Sequence, residues 1–203
     1  MQPAAPYRLL EHPLIYNISQ HITAPGFHFL LKKHFQAIFG ESCGLVLDVG
    51  CGPRLNTPAP QGEVCGVDIN LGYLRQYSAA HNRTGVLGSA DGIPFKNNVF
   101  NESRCFGLLH HLPRETALLT VREMIRCTKA GGRVIILDNV WPRNPYVRPL
   151  AWLSRRLDRG RWVRREEELV RLAEEAHAGP WQSSRFTYTF IGQEALALTL
   201  RKT

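Results

Sequence analysis

With 203 residues, 44% of them apolar, the chain can bury the core of one domain and is too short for two. No apolar run approaches the ~20 residues that cross a bilayer as a helix, and Met1 to Leu14, with three prolines, lacks the apolar centre of a secretory leader. The net charge of +8 is local: residues 41–140 hold ten bases against nine acids, whereas 141–165 hold eight arginines against Asp158 alone. That pattern points to one basic segment with its own partner, not to a basic fold.

In chain order, Phe27, Leu30, Leu31, His34, Phe35 and Ile38 recur at helical spacing and Gly40 stops them. Residues 1–40 therefore read as a helical cap over a sheet, opened by an irregular piece that carries Tyr7, Tyr16 and His21. Leu45 to Val49 is a short apolar run broken by Gly50-Cys51-Gly52, a buried strand ending in a tight loop. Val64 to Val67 is a second buried strand, ending on Asp68. In a doubly wound parallel sheet that loop and that carboxylate share one edge, where an acid can accept hydrogen bonds from ribose hydroxyls. A pyrophosphate fingerprint is absent: the third glycine is missing, Pro53 and Arg54 follow, and Pro58 and Pro60 deny the next segment a long helix.

Beyond it, Leu71 to Ala80 predicts a helix capped by Asn70. Gly85 to Asp91 reads as a third strand ending on an acid, and Glu102 to Leu109 as a fourth with His110-His111-Leu112 at its exit. Pro113 opens a helix to about Cys127, and Val134 to Leu137 form the fifth strand. Such strand and helix alternation implies a parallel sheet with crossover helices. Trp141 to Ala178 reads as a helical insertion, and Arg185 to Phe190, Gly192 and Glu194 to Leu200 as a closing hairpin. The chain thus divides into a cap (1–40), a core (41–140), an insertion or lid (141–178) and a hairpin (179–203). Five cysteines (43, 51, 65, 105, 127) form no C-x-x-C pair. Three of them (51, 65, 105) lie in or beside predicted strands and read as small core residues, which favours a reducing cytosol and no metal site.

Leu47-Asp48-Val49-Gly50-Cys51-Gly52 followed by Gly66-Val67-Asp68 resembles the first two motifs of class I S-adenosylmethionine-dependent methyltransferases. Ala90-Asp91, Ile93-Pro94-Phe95, Leu109-His110-His111-Leu112 and Lys129-Ala130-Gly131-Gly132 follow as in their ubiquinone/menaquinone-biosynthesis-like (type 11) branch. The resemblance implies a Rossmann-like α/β fold with an antiparallel C-terminal hairpin, and S-adenosyl-L-methionine as cofactor. It implies that Asp48 orders the glycine loop and that Gly50, Cys51 and Gly52 pass under the methionine moiety. Asp68 and Ile69 would hold the ribose side, Ala90 and Asp91 the adenine, and Cys105 and Phe106 would line the cofactor. Arg54 departs from the pattern, and the usual helix after the first strand should be a loop or a single turn.

Methyl transfer from a sulfonium is an in-line displacement, so the protein contributes chiefly alignment. Where the acceptor must lose a proton a base is needed, and one of His110 and His111 is the candidate, with Tyr7, Tyr16 and Tyr188 behind them. The expected acceptor is a small or lipid-like molecule, amphiphilic or acidic. Around Pro149 to Arg159 a helical wheel puts Leu150, Leu153 and Leu157 on one side and Arg148, Trp152, Arg155, Arg156 and Arg159 on the other. Packing the leucines inward would leave an arginine face for an anionic membrane, with 143–165 as the contact. Two rival readings are a nucleic-acid methyltransferase, suggested by the basic pI, and a cofactor-binding protein without catalysis. Against the first, 203 residues leave no room for a separate RNA-binding module, and an N-P-P-Y type signature is absent.

Overall fold

The computed structural model describes residues 27–40, 42, 44–54, 57–79, 83–157 and 160–203. The expectations for Tyr7, Tyr16, His21 and Cys43 lie outside them. Among the described residues, no helix is long and apolar enough to cross a membrane.

Seven strands form one sheet: β1 (Val46–Val49), β2 (Val64–Asp68), β3 (Arg83–Leu87), β4 (Phe100–Phe106), β5 (Thr128–Val140), β6 (Gln182–Thr187) and β7 (Glu194–Arg201). Their order is β3-β2-β1-β4-β5-β7-β6. β1 to β5 pair in parallel, and β7 runs antiparallel to both β5 and β6. The order reverses between β1 and β4, so a ligand crevice belongs at the carboxyl ends of those two strands. The mostly parallel, doubly wound sheet with its terminal hairpin is the Rossmann-like architecture expected.

The helices are α1 (Phe27–Phe39), α2 (Leu71–Tyr77), α3 (Arg114–Cys127), α4 (Pro149–Arg156) and α5 (Glu166–Ala176). All four residues of β1 are buried, as a central parallel strand covered on both faces requires. One face packs on α3 and α5 through Leu47, Val49, Val121, Met124, Leu169 and Leu172. Across the sheet, Ile38 and Phe39 of α1 meet Ile135, Leu137, Phe186 and Tyr188. Asn70 caps α2, accepting from the backbone N–H of Gly72 and Tyr73 at 2.9 and 3.2 Å.

Several boundaries differ from the sequence expectation. β3 begins at Arg83 and leaves the sheet after Leu87, so Asp91 stands in a loop beyond the strand, closed by a bridge between Ser89 and Gly92. β4 ends at Phe106 because Gly107 turns the chain with φ 65°. The histidines therefore occupy a 3-10 turn, Leu109–His111, not a strand exit. β5 starts directly after α3, and its Ala-Gly-Gly stretch lies in the register shift that moves pairing from Phe100/Thr128 to Glu102/Arg133. β6 starts at Gln182, three residues before the expected hairpin.

No helix follows β1 among the described residues. The loop there is held from beneath by Arg104 of β4, a fully buried arginine. Its Nη1 donates to Thr57 Oγ1 at 2.6 Å and to the Pro58 carbonyl at 2.8 Å, and its Nε donates to Glu102 at 3.0 Å. A guanidinium thus fixes a segment that a crossover helix would otherwise hold.

The insertion helix is turned the opposite way from the wheel's expectation. Leu150, Leu153 and Leu157 are 61%, 49% and 75% exposed, whereas Ala151 and Arg155 are buried. Arg155 faces inward because Tyr188 waits there, its hydroxyl accepting from Arg155 Nη2 and its ring lying 5.6 Å from the guanidinium carbon. Arg148 also turns in, to Glu194 at 2.8 Å and the Gly192 carbonyl at 3.0 Å.

Candidate active site

The glycine loop is held by backbone groups from β2. Gly50 N–H and Cys51 N–H donate to the Val67 carbonyl at 2.8 and 3.2 Å, and Gly52 N–H donates to Asp68 Oδ2 at 2.9 Å. Asp68 Oδ1 accepts from Asn70 N–H at 2.8 Å. Each oxygen of this half-buried carboxylate therefore has one backbone partner and a remaining lone pair toward the crevice edge. Gly50 and Gly52 both have positive φ, 66° and 61°, where a Cβ is strained. They differ in what surrounds them. A Cβ on Gly50 would strike the Leu108 side chain at 2.7 Å, while one on Gly52 would meet nothing within 4 Å. The open backbone is at Gly52, beside Asp68 and the 77% exposed Ile69.

Asp48 and Cys51 look the other way, beneath α2. Asp48 is buried and accepts from the Tyr77 hydroxyl at 3.0 Å. Burial pushes its carboxyl up to about 6, against the opposing pull of Arg104 and of that hydrogen bond. Cys51 fills the space over Gly66, where an added Cβ would sit 2.6 Å from its sulfur. Cys105 is buried at the end of β4, its thiol pushed well up by burial, and Phe106 packs edge-on against Phe35 of α1 at 6.4 Å.

The loop carrying Ala90 and Asp91 is short and tied. Ser89 Oγ donates to Asp91 Oδ1, and α3 holds the following residues. Glu123 Oε2 accepts from Ile93 N–H at 2.9 Å, while Arg126 donates to the carbonyls of Ile93 and Phe95 at 2.9 and 2.8 Å. This latch was missed at the level of sequence, where the i,i+3 spacing of Glu123 and Arg126 is the one signal that could have found it.

A second cluster sits at the carboxyl ends of β4 and β5. His110 is buried; its Nδ1 lies 2.5 Å from Asp138 Oδ1 and its backbone N–H donates to Asp138 Oδ2 at 2.9 Å. Burial alone would push the Asp138 carboxyl up, but the His110 ring and the Asn139 N–H outweigh it and hold it below the usual range. A carboxylate only accepts, so the Nδ1 bears the proton and Nε2 is left as an acceptor. That Nε2 faces the Asn139 amide nitrogen at 3.5 Å, and Asn139 Oδ1 accepts from the Tyr188 hydroxyl at 2.7 Å. Donors therefore run in one direction from Arg155 through Tyr188, Asn139 and His110 to Asp138. His111 lies on the exposed side, its ring 4.0 Å from that of His110. Residues 160–164 strap this turn. Trp162 N–H donates to the His110 carbonyl at 3.0 Å, and Arg164 donates to the carbonyls of Leu109 and Leu112 at 2.6 and 2.8 Å. Asp138, Asn139, Arg155 and Arg164 gave no motif in the sequence.

A strand order reversing between β1 and β4, with an open glycine loop and an acid at the tip of β2, defines a Rossmann-like fold with a nucleoside-type crevice at the switch point. A family model of the methyltransferase domain matches residues 47–136. The ubiquinone/menaquinone biosynthesis C-methyltransferase UbiE of Hahella chejuensis is 30% identical over 147 residues, covering 65% of this chain and 58% of that protein. The demethylmenaquinone methyltransferase of Symbiobacterium thermophilum is 30% identical over 189 residues, covering 71% of each chain. Among solved structures, a SAM dependent methyltransferase from Aquifex aeolicus superimposes with a TM-score of 0.63 at 14% identity, covering 98% of this chain and 99% of that one. The geranyl diphosphate C-methyltransferase of Streptomyces coelicolor, solved with geranyl diphosphate and S-adenosyl-L-homocysteine, does so with 0.62 at 13% identity, covering 100% of this chain and 84% of that one. At such identities these structures speak for the fold. The chain belongs to the class I S-adenosylmethionine-dependent methyltransferases, in the branch that resembles UbiE. It spans a little over half the length of the first curated relatives it matches, 58% and 56%.

Proposed function

We propose that this protein transfers the methyl group of S-adenosyl-L-methionine to a small apolar or amphiphilic acceptor. The supporting observation is the juxtaposition of two unlike sites on one sheet edge: the open Gly52 backbone beside Asp68, and the His110–Asp138 pair across the switch point. In this reading Gly52 and Asp68 take the ribose and its amino-acid tail, Ile69 gives apolar cover, and Ala90 and Asp91 receive the base. The bound sulfonium supplies an electrophilic methyl group; the residues of the chain hold it in line with the acceptor and exclude water.

Where the acceptor must lose a proton, His110 Nε2 is the candidate to take it: Asp138 holds Nδ1, and Nε2 would exchange its long contact with the Asn139 amide for the acceptor's proton. His110 takes this role in preference to the exposed His111 because Asp138 fixes its tautomer and position. The names of the related C-methyltransferases support a quinone-like ring as acceptor. Its amphiphilic character, and an approach from an anionic membrane surface through residues 143–165, are our own extension from the basic segment. A nucleic-acid substrate has less support than the charge suggests, because Arg148, Arg155 and Arg164 spend their guanidinium groups on the protein's own carbonyls, hydroxyls and carboxylates.

Calorimetry with S-adenosyl-L-homocysteine tests the reading. Tight binding that weakens in Asp68→Ala by about 1–3 kcal/mol is the expected result; binding of NAD in its place, or no effect of Asp68, would overturn it.

A further inference from the structure

α4 is built inside out for a helix on a soluble surface. Its inward side is Ala151, Ser154 and Arg155, with Gln193 donating to Ser154 Oγ at 2.6 Å. Its outward side continues the preceding turn in one stripe: Tyr146, Val147, Leu150, Leu153 and Leu157 are 93%, 73%, 61%, 49% and 75% exposed. Phe190, 70% exposed, joins them from the β6–β7 turn that Arg148 and Ser154 hold against the helix. Leaving such a stripe in water forgoes burial that would otherwise stabilise the fold, and a contiguous apolar patch on a protein surface marks a docking site.

The charges around the stripe say what docks. Arg156, Arg161 and Arg165 are exposed, Arg156 lying over the Trp152 ring at 5.3 Å, and the sequence of 141–165 holds eight arginines against Asp158 alone. A second copy of this chain seated across a two-fold axis would bring those arginines against their own equivalents. An anionic bilayer instead meets the stripe with acyl chains and the arginines with headgroups, as for a helix lying in the interface plane. We infer that the outward face of α4, with Leu150, Leu153 and Leu157 inserted and Arg156 and Arg161 at headgroup level, docks this protein on an anionic lipid surface. The orientation is the reverse of an arginine face laid on the membrane. The role of docking rests on the reading of an amphiphilic acceptor: the inner face of α4 reaches Tyr188, and through Asn139 the candidate base, so the acceptor end of the crevice is held at the lipid. The docking itself does not depend on turnover.

Flotation of the full chain with vesicles of mixed phosphatidylcholine and phosphatidylglycerol, against pure phosphatidylcholine, tests it. The anionic vesicles should retain the protein, and retention should fall as salt rises, since exposed charges are screened within ~10 Å at about 0.1 M. The triple variant Leu150→Ser, Leu153→Ser, Leu157→Ser should lose roughly tenfold or more of that binding, keeping its melting temperature and its affinity for S-adenosyl-L-homocysteine. Arg156→Gln with Arg161→Gln should weaken binding and flatten its salt dependence. Three results would overturn the inference: no retention of the wild type, a melting temperature that drops in the triple variant, which means the stripe is covered from within the chain, or a sedimentation-defined dimer that the triple variant dissociates. Loss of S-adenosyl-L-homocysteine binding in the wild type would instead remove the methyltransferase reading and leave the docking result standing.

Discussion

The two halves of the crevice are built from different materials. At β1 and β2 the ligand-facing groups are mostly backbone, a glycine loop hung from Val67 and open at Gly52, with the Asp68 carboxylate beside it. At β4 and β5 they are side chains, a buried chain of donors running from Arg155 to Asp138. A backbone site tolerates substitution around it and fails only where φ or an approaching ligand demands glycine. A side-chain network is cooperative, and removing one member leaves its neighbours desolvated and unpaired.

The largest effect should follow loss of Asp138. Asp138→Ala strips the His110 ring and two backbone N–H groups of their acceptor, and chemical denaturation should show a loss of at least about 3 kcal/mol, each stranded buried donor costing about 1–3 kcal/mol. His110→Asn should lower turnover of a short-chain quinol by ~10²-fold with cofactor affinity unchanged; equal loss in both halves would erase the contrast.

Asp48 sharpens the comparison through pH. Its folded carboxyl sits at about 6 against 3.8 ordinarily, chiefly through burial. The folded state therefore holds the proton more tightly, and the stability this contributes is present below pH 3.8 and is lost as pH rises through about 6. Relative to Asp48→Asn, the wild type should lose up to about 3 kcal/mol between those limits, read from urea midpoints at a series of pH values. A difference that does not vary with pH would mean that Asp48 is not held in a desolvated site.

Smaller effects belong to the backbone half. Asp68→Ala should weaken cofactor binding and lower thermal stability less than Asp138→Ala, because the Gly52 and Asn70 N–H groups it strips lie at a half-buried edge that water can reach. Gly52→Ala should cost about 1 kcal/mol for its positive φ alone, and Gly50→Ala more, because Leu108 must also move. Equal costs would show that Leu108 yields freely.

The same contrast explains what could be read from the sequence. The cofactor half is written contiguously, in Leu47 to Gly52 and Val67 to Asp68, because a loop and two strand ends need only local spacing. His110 was visible, but its partner lies 28 residues away and carries no local signal. Tyr188 and Arg155 meet across 33 residues and two elements. The α4 wheel showed a stripe correctly and its orientation wrongly. Periodicity separates two faces; which face is inside depends on what the fold offers, here the Tyr188 hydroxyl and room beside Ala151. Arg104 was equally silent, since a buried arginine in β4 is explained only by the Thr57 and Pro58 groups it reaches.

The strap at residues 160–164 gives the insertion a mechanical character. Gly160 lies so close to His110 that an added Cβ would come within 2.1 Å of the ring, and Trp162 and Arg164 grip the carbonyls of the same turn. Arg155 grips the opposite end of the network through Tyr188. The insertion thus meets the candidate base from two sides, through the strap and through the chain from Arg155 by Tyr188 and Asn139, so a change on either side reaches the same imidazole.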